Sequence, residues 1–172
     1  MAIAVITESQ RRFEADASAA QSAPEVRATL TNGRARLTAG PFNWDADLSA
    51  ALGGENLAPS PTAYLLGALA GCAVAFLHDT LAPQLGIAID DVAAVAGCRT
   101  DARGLLGMPG AAPDLADIEL SVEIGSDASD EDLERLEAAW LQRCPIFLAL
   151  AKPNDVATRF GRRAPSTSQE PS

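Results

Sequence analysis

The sequence predicts a single mixed domain in which strands and helices share one core, on three observations. The stretch Pro61 to Pro83, PTAYLLGALAGCAVAFLHDTLAP, is the longest apolar run and has the length of a core helix. Val26 to Ala39 alternates around Asn32-Gly33, the dipeptide that best favours a two-residue type I′ turn, and so marks a hairpin. Ile118 to Ile124 alternates apolar and polar residues without a fault, as a strand with one wet face does, and a second helix signature follows at Ser129. A length of 172 residues fits one domain of ordinary size. We divide it into an N-terminal extension with helical character (1–25), one domain (26–161) and a disordered tail (162–172).

Composition narrows the partners. A net charge of −10 and a pI near 4.4 argue against nucleic acid or an anionic membrane, both of which need a basic patch. The first residues show no basic segment followed by a long apolar one, so the chain is expected in the cytoplasm. Three cysteines, Cys72, Cys98 and Cys144, fit neither a disulfide framework nor paired zinc ligands, and one histidine, His78, is too few for a Cys/His metal cluster. No cofactor or metal is expected. Serine hydrolase and cysteine protease chemistry would rest on His78, which sits in the last turn of a helix where it favours the dipole.

In chain order, Thr7 with Gln10 three later reads as a capping box opening a short alanine-rich helix. The hairpin follows, and Trp44-Asp45 ends a third strand. Gly53-Gly54 and Pro59 punctuate a loop. Ser60 caps the long helix, Pro61 is its first residue and Pro83 its stop, giving about six turns at 3.6 residues per turn. With almost no polar face before His78, this helix must be buried on nearly every side. The unbroken apolar part falls short of a membrane span and lacks basic flanks. Gly67, Gly71 and Ala75 form a strip of small residues along which another backbone can come close.

Gly86 ends the helix, Val92 to Thr100 is a strand carrying Cys98, and Asp101 to Asp114 is a loop. Ser129 with Asp132 opens a helix with Leu133, Leu136 and Trp140 on one stripe. At about 100° per residue the same stripe arrives at Cys144, which therefore faces the core. Pro145 disfavours helix at Cys144 and starts a new one, leaving Cys144 as its cap, where free amides favour a thiolate. A turn over Lys152 to Asp155 leads to a last strand, Val156 to Phe160.

Two cysteines on the inward sides of two helices are the one constellation with chemical promise. One thiolate of such a pair can attack a peroxide oxygen to give a sulfenic acid, and the other can condense with it to a disulfide. The plainer reading is that each is a small buried hydrophobe, and Cys98, without a helix terminus near it, is taken as structural.

The runs SPTAYLLGALAGCAVAFL, GIAIDDVAAVAGCRTDARGLLG, SDASDEDLERLEAAWLQRCP and IFLAL resemble the OsmC/Ohr family of osmotically induced and organic hydroperoxide resistance proteins, over Arg27 to Phe160. The most specific features are a cysteine within the long helix, here Cys72, and a Cys-Pro pair beginning the second, here Cys144-Pro145. The resemblance implies an α+β fold, antiparallel sheets packed with two long helices, in an intertwined homodimer with its sites at the subunit boundary. It also implies thiol-dependent reduction of hydroperoxides, Cys72 matching the attacking thiolate and Cys144 the resolving thiol, with a dithiol partner as reductant. The Pro145 cap argues instead for Cys144 as the more acidic thiol, and both assignments stand at this point.

The chain departs from the family at the activating groups. Where peroxidatic members carry a glutamate before the helix cysteine, this chain has Thr62 and Ala63, and the nearest acid is Glu55. For the family's hairpin arginine, Arg34 is the best match, with Arg27 and Arg36 as rivals. Against a peroxidase stands a non-catalytic dimer of this fold, binding a small molecule or serving a structural role, with the cysteines as packing residues.

Overall fold

A computed structural model describes residues 2–152 and 155–162. Helix α1 spans Ala2–Ala15. It begins before the expected capping box: Thr7 lies inside the helix and its hydroxyl donates to the Ile3 carbonyl one turn back, at 2.9 Å, as threonine does in a helix interior.

Strands β1 (Arg27–Thr31), β2 (Arg34–Ala39) and β3 (Phe42–Ala46) form an antiparallel sheet in that order. Thr31 pairs with Arg34 across the turn, and Asn32 and Gly33 both have positive φ, 50° and 77°, as a type I′ turn requires. β1 is exposed along its whole length. The sheet is tied to the long helix by Tyr64, whose hydroxyl donates to the Asp45 carbonyl at 2.6 Å and whose ring lies 6.4 Å from that of Trp44.

The loop after β3 is wound around one carboxylate. Asp47, 7% exposed, accepts the backbone N–H groups of Leu48, Glu55 and Leu57 at 2.8, 3.2 and 3.0 Å. These bonds hold its carboxyl below the ordinary value, with the Arg34 charge contributing. Gly54 passes so close to Leu48 and Asp47 that a Cβ there would collide with the Leu48 carbonyl.

Ser60 then caps helix α2 (Pro61–Phe76), its hydroxyl accepting from Ala63 N at 3.1 Å. The helix does not stop at Pro83. It widens into a π-turn at Leu77–Leu81 and continues as α3 (Ala82–Leu85), ending at Gly86, which takes φ of 70°. Proline lacks an N–H and its ring crowds the preceding turn, and the wide turn placed just before it relieves both conflicts. By length and composition the 25-residue stretch Pro61–Leu85, with His78 to Thr80 included, suffices to cross a membrane, a test that the core helix of a soluble protein also passes. It is not buried on every side. Leu69, Ala73, Leu77 and Leu81 face inward, while Gly67, Gly71 and Ala75 face out, with open space where a Cβ would stand on either glycine.

β4 (Asp91–Arg99) and β5 (Ala116–Gly125) form an antiparallel pair whose inner residues Val92, Ala94, Ala96, Leu120, Val122 and Ile124 pack on the core. The connection between them contains a helical turn, α4 (Ala102–Leu105), where a plain loop was expected. It forms because Asp101 accepts from Arg103 N at 3.0 Å and ion-pairs with the Arg103 side chain. Helix α5 (Asp130–Arg143) is capped by Ser129, which accepts from Asp132 N at 3.2 Å. Its buried Leu136, Ala139 and Trp140 close the core over Leu69 to Ala82. α6 (Pro145–Ala151) follows directly.

Val156 to Phe160 is not a strand in this protomer: it has no pairing partner among the described residues, and Val156 and Phe160 are 80% and 102% exposed. A strand needs a neighbour to take its amides, and none of the described strands pairs with it. Pro153 and Asn154 of the expected turn, and the tail from 163 onward, lie outside the described residues.

Candidate functional site

The thiol site arises where the middle of α2 meets the break between α5 and α6. Cys72 lies between Leu69 and Ala73 on the inward side of α2 and is half-buried. Cys144 ends the α5 stripe and is fully buried, at 0% exposure. The proline after it forces extended backbone at Cys144, φ −67° and ψ 113°, so the residue leaves α5 and caps α6. Its sulfur accepts the Phe147 N–H at 3.4 Å, while its own N–H still donates to the Trp140 carbonyl at 2.8 Å.

The two sulfurs stand 3.1 Å apart, in S–H···S contact and unbonded. A disulfide bond is about 2.05 Å long, so closing this gap needs only a small shift of side chains. Burial pushes the Cys72 thiol up to about 11, the neighbouring Cys144 adds to the rise, and the backbone amide of Ile146 opposes it. The N-terminal amides of α6 thus turn toward both sulfurs. Cys98 stands apart on β4, half-buried beside a bulge at Gly97/Arg99, and its thiol is free.

The expected activating groups lie elsewhere in the protomer. Arg34 is 4.0 Å from an Asp45 carboxylate oxygen, Arg36 is 2.7 Å from the other, and Arg27 pairs with Glu25 at 3.4 Å. Glu55 gives its backbone N–H to Asp47 and leaves its side chain exposed. Among the described residues, none of these four makes a hydrogen bond or ion pair to either sulfur. At Thr62 and Ala63, where the family's glutamate would fall, no carboxylate stands, and Ala63 donates its N–H to the Ser60 cap. His78 pairs with Asp79 at 2.7 Å on the exposed side of the π-turn. No group of three or more metal-ligating side chains occurs among the described residues.

Two features had little or no sequence signal. Asp47 could not be singled out, because its partners are backbone amides, which every non-proline residue has. The Trp140–Phe147 wall beside Cys144, ring centroids 5.2 Å apart, was half visible: Trp140 belonged to the inward stripe, but Phe147 lies beyond a helix break.

An α+β frame that holds two thiols in contact between its two principal helices defines a dithiol protein. A family model described as OsmC-like protein matches residues 53–159, which include both cysteines. The chain belongs to the OsmC-like family. The solved OsmC-like protein of Mycoplasma pneumoniae has the same fold, at a TM-score of 0.63 and 21% identity, over 76% of this chain and 89% of that one. An organic hydroperoxide resistance protein OsmC from Legionella pneumophila matches at a TM-score of 0.58 and 20% identity, over 75% of this chain and 89% of that one. At these identities the likeness is one of fold. No curated protein matches the chain in sequence.

Proposed function

We propose that this protein is a thiol-dependent hydroperoxide reductase that works through Cys72 and Cys144. The observation that carries the reading is the 3.1 Å contact between the two sulfurs. Cys72, the more exposed of the pair, meets the peroxide. Its thiolate attacks one oxygen of ROOH, the O–O bond breaks, ROH leaves with a proton and Cys72 becomes a sulfenic acid. The Cys144 thiol then attacks that sulfur, water leaves, and a disulfide joins α2 to the start of α6. A dithiol partner reduces the disulfide, taking the oxidation onto itself. In net terms one ROOH and two thiols give ROH, water and one disulfide. The setting is the cytoplasm.

Burial and the neighbouring sulfur raise the Cys72 thiol to about 11, which favours its protonated form, so the reductase reading calls for an activating charge beside it. A homodimer would supply it. That reading is supported by the apolar surface a single protomer leaves uncovered: the strip Gly67, Gly71 and Ala75, Leu30 at 82% exposure on β1, and Phe160. A hairpin arginine of a second copy, with Arg34 the first candidate and Glu55 as a supporting acid, would then lower the thiol.

The same protonated Cys72 favours a second reading, a non-catalytic binding dimer in which the cysteines only pack. One equivalent of cumene hydroperoxide separates the two. The reductase loses two of its three thiols per chain, and Cys72→Ser loses none. Unchanged thiols in the folded protein refute the reductase.

A further inference from the structure

The thiol pair has the geometry of a chelate as well as that of a redox couple. Cys72 is half-buried and Cys144 is at 0% exposure, so a ligand that bonds to Cys72 finds a second sulfur already 3.1 Å from the first. A single centre bonded to both must accept that spacing. With bonds to sulfur of about 2.3 Å, a tetrahedral zinc ion spreads two sulfurs to about 3.8 Å, and a linear centre spreads them to about 4.6 Å. A pyramidal centre whose bonds meet at nearly right angles, as those of trivalent arsenic do, needs about 3.3 Å at the same bond length. The pyramidal centre asks for the smallest movement.

Ligand number and charge point the same way. Zinc takes at least three protein ligands, whereas no group of three or more metal-ligating side chains occurs among the described residues, and the one histidine, His78, pairs with Asp79. Trivalent arsenic has three bonds, one of which can stay on its own substituent, so two sulfurs complete it. Metal ions bind thiolates, which requires charge on both cysteines, and charge is costly where Cys144 belongs to the apolar core and Cys72 packs against it. An uncharged arsenical takes thiols as they stand. R–As=O and two S–H groups give two As–S bonds and one water, arsenic stays trivalent, and no sulfur is oxidised.

We propose that Cys72 and Cys144 chelate trivalent arsenicals, forming a dithiol site that prefers a neutral three-bonded metalloid to divalent metal ions. Because no electrons are transferred, this binding does not depend on the reductase reading, and bound arsenic blocks the pair against any other reaction.

The reduced full chain is mixed with phenylarsine oxide, and separately with sodium arsenite, and followed by native mass spectrometry. We expect one arsenic per chain. The phenylarsenic adduct should carry two hydrogens fewer than the sum of protein and phenylarsenic group, survive excess 2-mercaptoethanol and be stripped by 2,3-dimercaptopropanol. Two thiols on one frame should hold arsenic at least about 100-fold more tightly than one, so Cys72→Ser and Cys144→Ser should each weaken binding by that factor and Cys98→Ser should not. Cys144 fills the core, so Cys72→Ser, at the half-buried position, decides the matter if Cys144→Ser does not fold. Absence of an adduct with both arsenicals, loss of it to 2-mercaptoethanol, unchanged binding in folded Cys72→Ser, or displacement by equimolar zinc overturns the proposal. Failure here leaves the thiol count after cumene hydroperoxide standing, and a negative thiol count leaves arsenic binding standing.

Discussion

Cys72 and Asp47 show two opposite uses of burial at single residues. For Cys72, burial and the adjacent sulfur favour the neutral thiol, with the folded value raised from 9.0 to about 11. That shift stabilises the protomer fully below about pH 9 and is lost as pH climbs through 11. The same shift governs reactivity. In protein diluted to monomers, alkylation of Cys72 by iodoacetamide, located by peptide mass mapping, should rise about tenfold per pH unit from pH 7 to 10. A plateau below pH 8 would mean that some cation already activates it. Asp47 is held in its charged form by three amides, so its stabilisation is present above its ordinary value of 3.8 and fades as pH falls below it. Asp47→Asn should therefore melt earlier than the parent at pH 7, with the gap closing toward pH 3, as read by circular dichroism. Cys144 was legible from the sequence, because an α-helical stripe and a following proline together fix where it points. Asp47 was not, because its binding partners lie eight and ten residues ahead and are backbone.

At the level of elements, caps and turns behave as local chemistry dictates, and errors arise where an element depends on something distant. Ser60 and Ser129 cap the helices assigned to them. Ser60→Ala should cost about 1 kcal/mol, seen as a lower urea midpoint with an unchanged slope. Gly54→Ala is expected to cost about 1–3 kcal/mol, since the added methyl meets the Leu48 carbonyl. Gly67→Ala, with nothing near it in the protomer, should cost nothing there. Thr7 carried the residue pattern of a cap without being one, because the apolar residues before it extend α1 back to Ala2. Val156 to Phe160 has the alternation of a strand, but alternation states which faces a strand would show and not whether a neighbour exists.

The whole molecule carries an imbalance between composition and cover. Its longest helix is apolar nearly throughout, yet within one protomer the strip Gly67, Gly71 and Ala75 lies open. The family resemblance made the fold and both thiols readable, because these depend on local pattern. Arg34 and Glu55 remained expectations: in the protomer Arg34 faces Asp45, and Glu55 gives its backbone N–H to Asp47. If that strip meets a second copy, Gly71→Leu should shift the protein toward monomer in sedimentation at micromolar concentration while its helical spectrum persists, and hydroperoxide-driven thiol loss should slow with it. The π-turn at Leu77–Leu81 has a different kind of consequence. A turn of that width holds one residue more than a regular one, so the chain on its two sides is out of step by a single position. The extra residue is absorbed in place, with Leu77 at the start of the turn, Leu81 at its end and Ala82 after it all facing inward. Deleting Thr80 would restore the regular frame, but Pro83 would then press on the turn behind it. The deletion should be tolerated only together with Pro83→Ala.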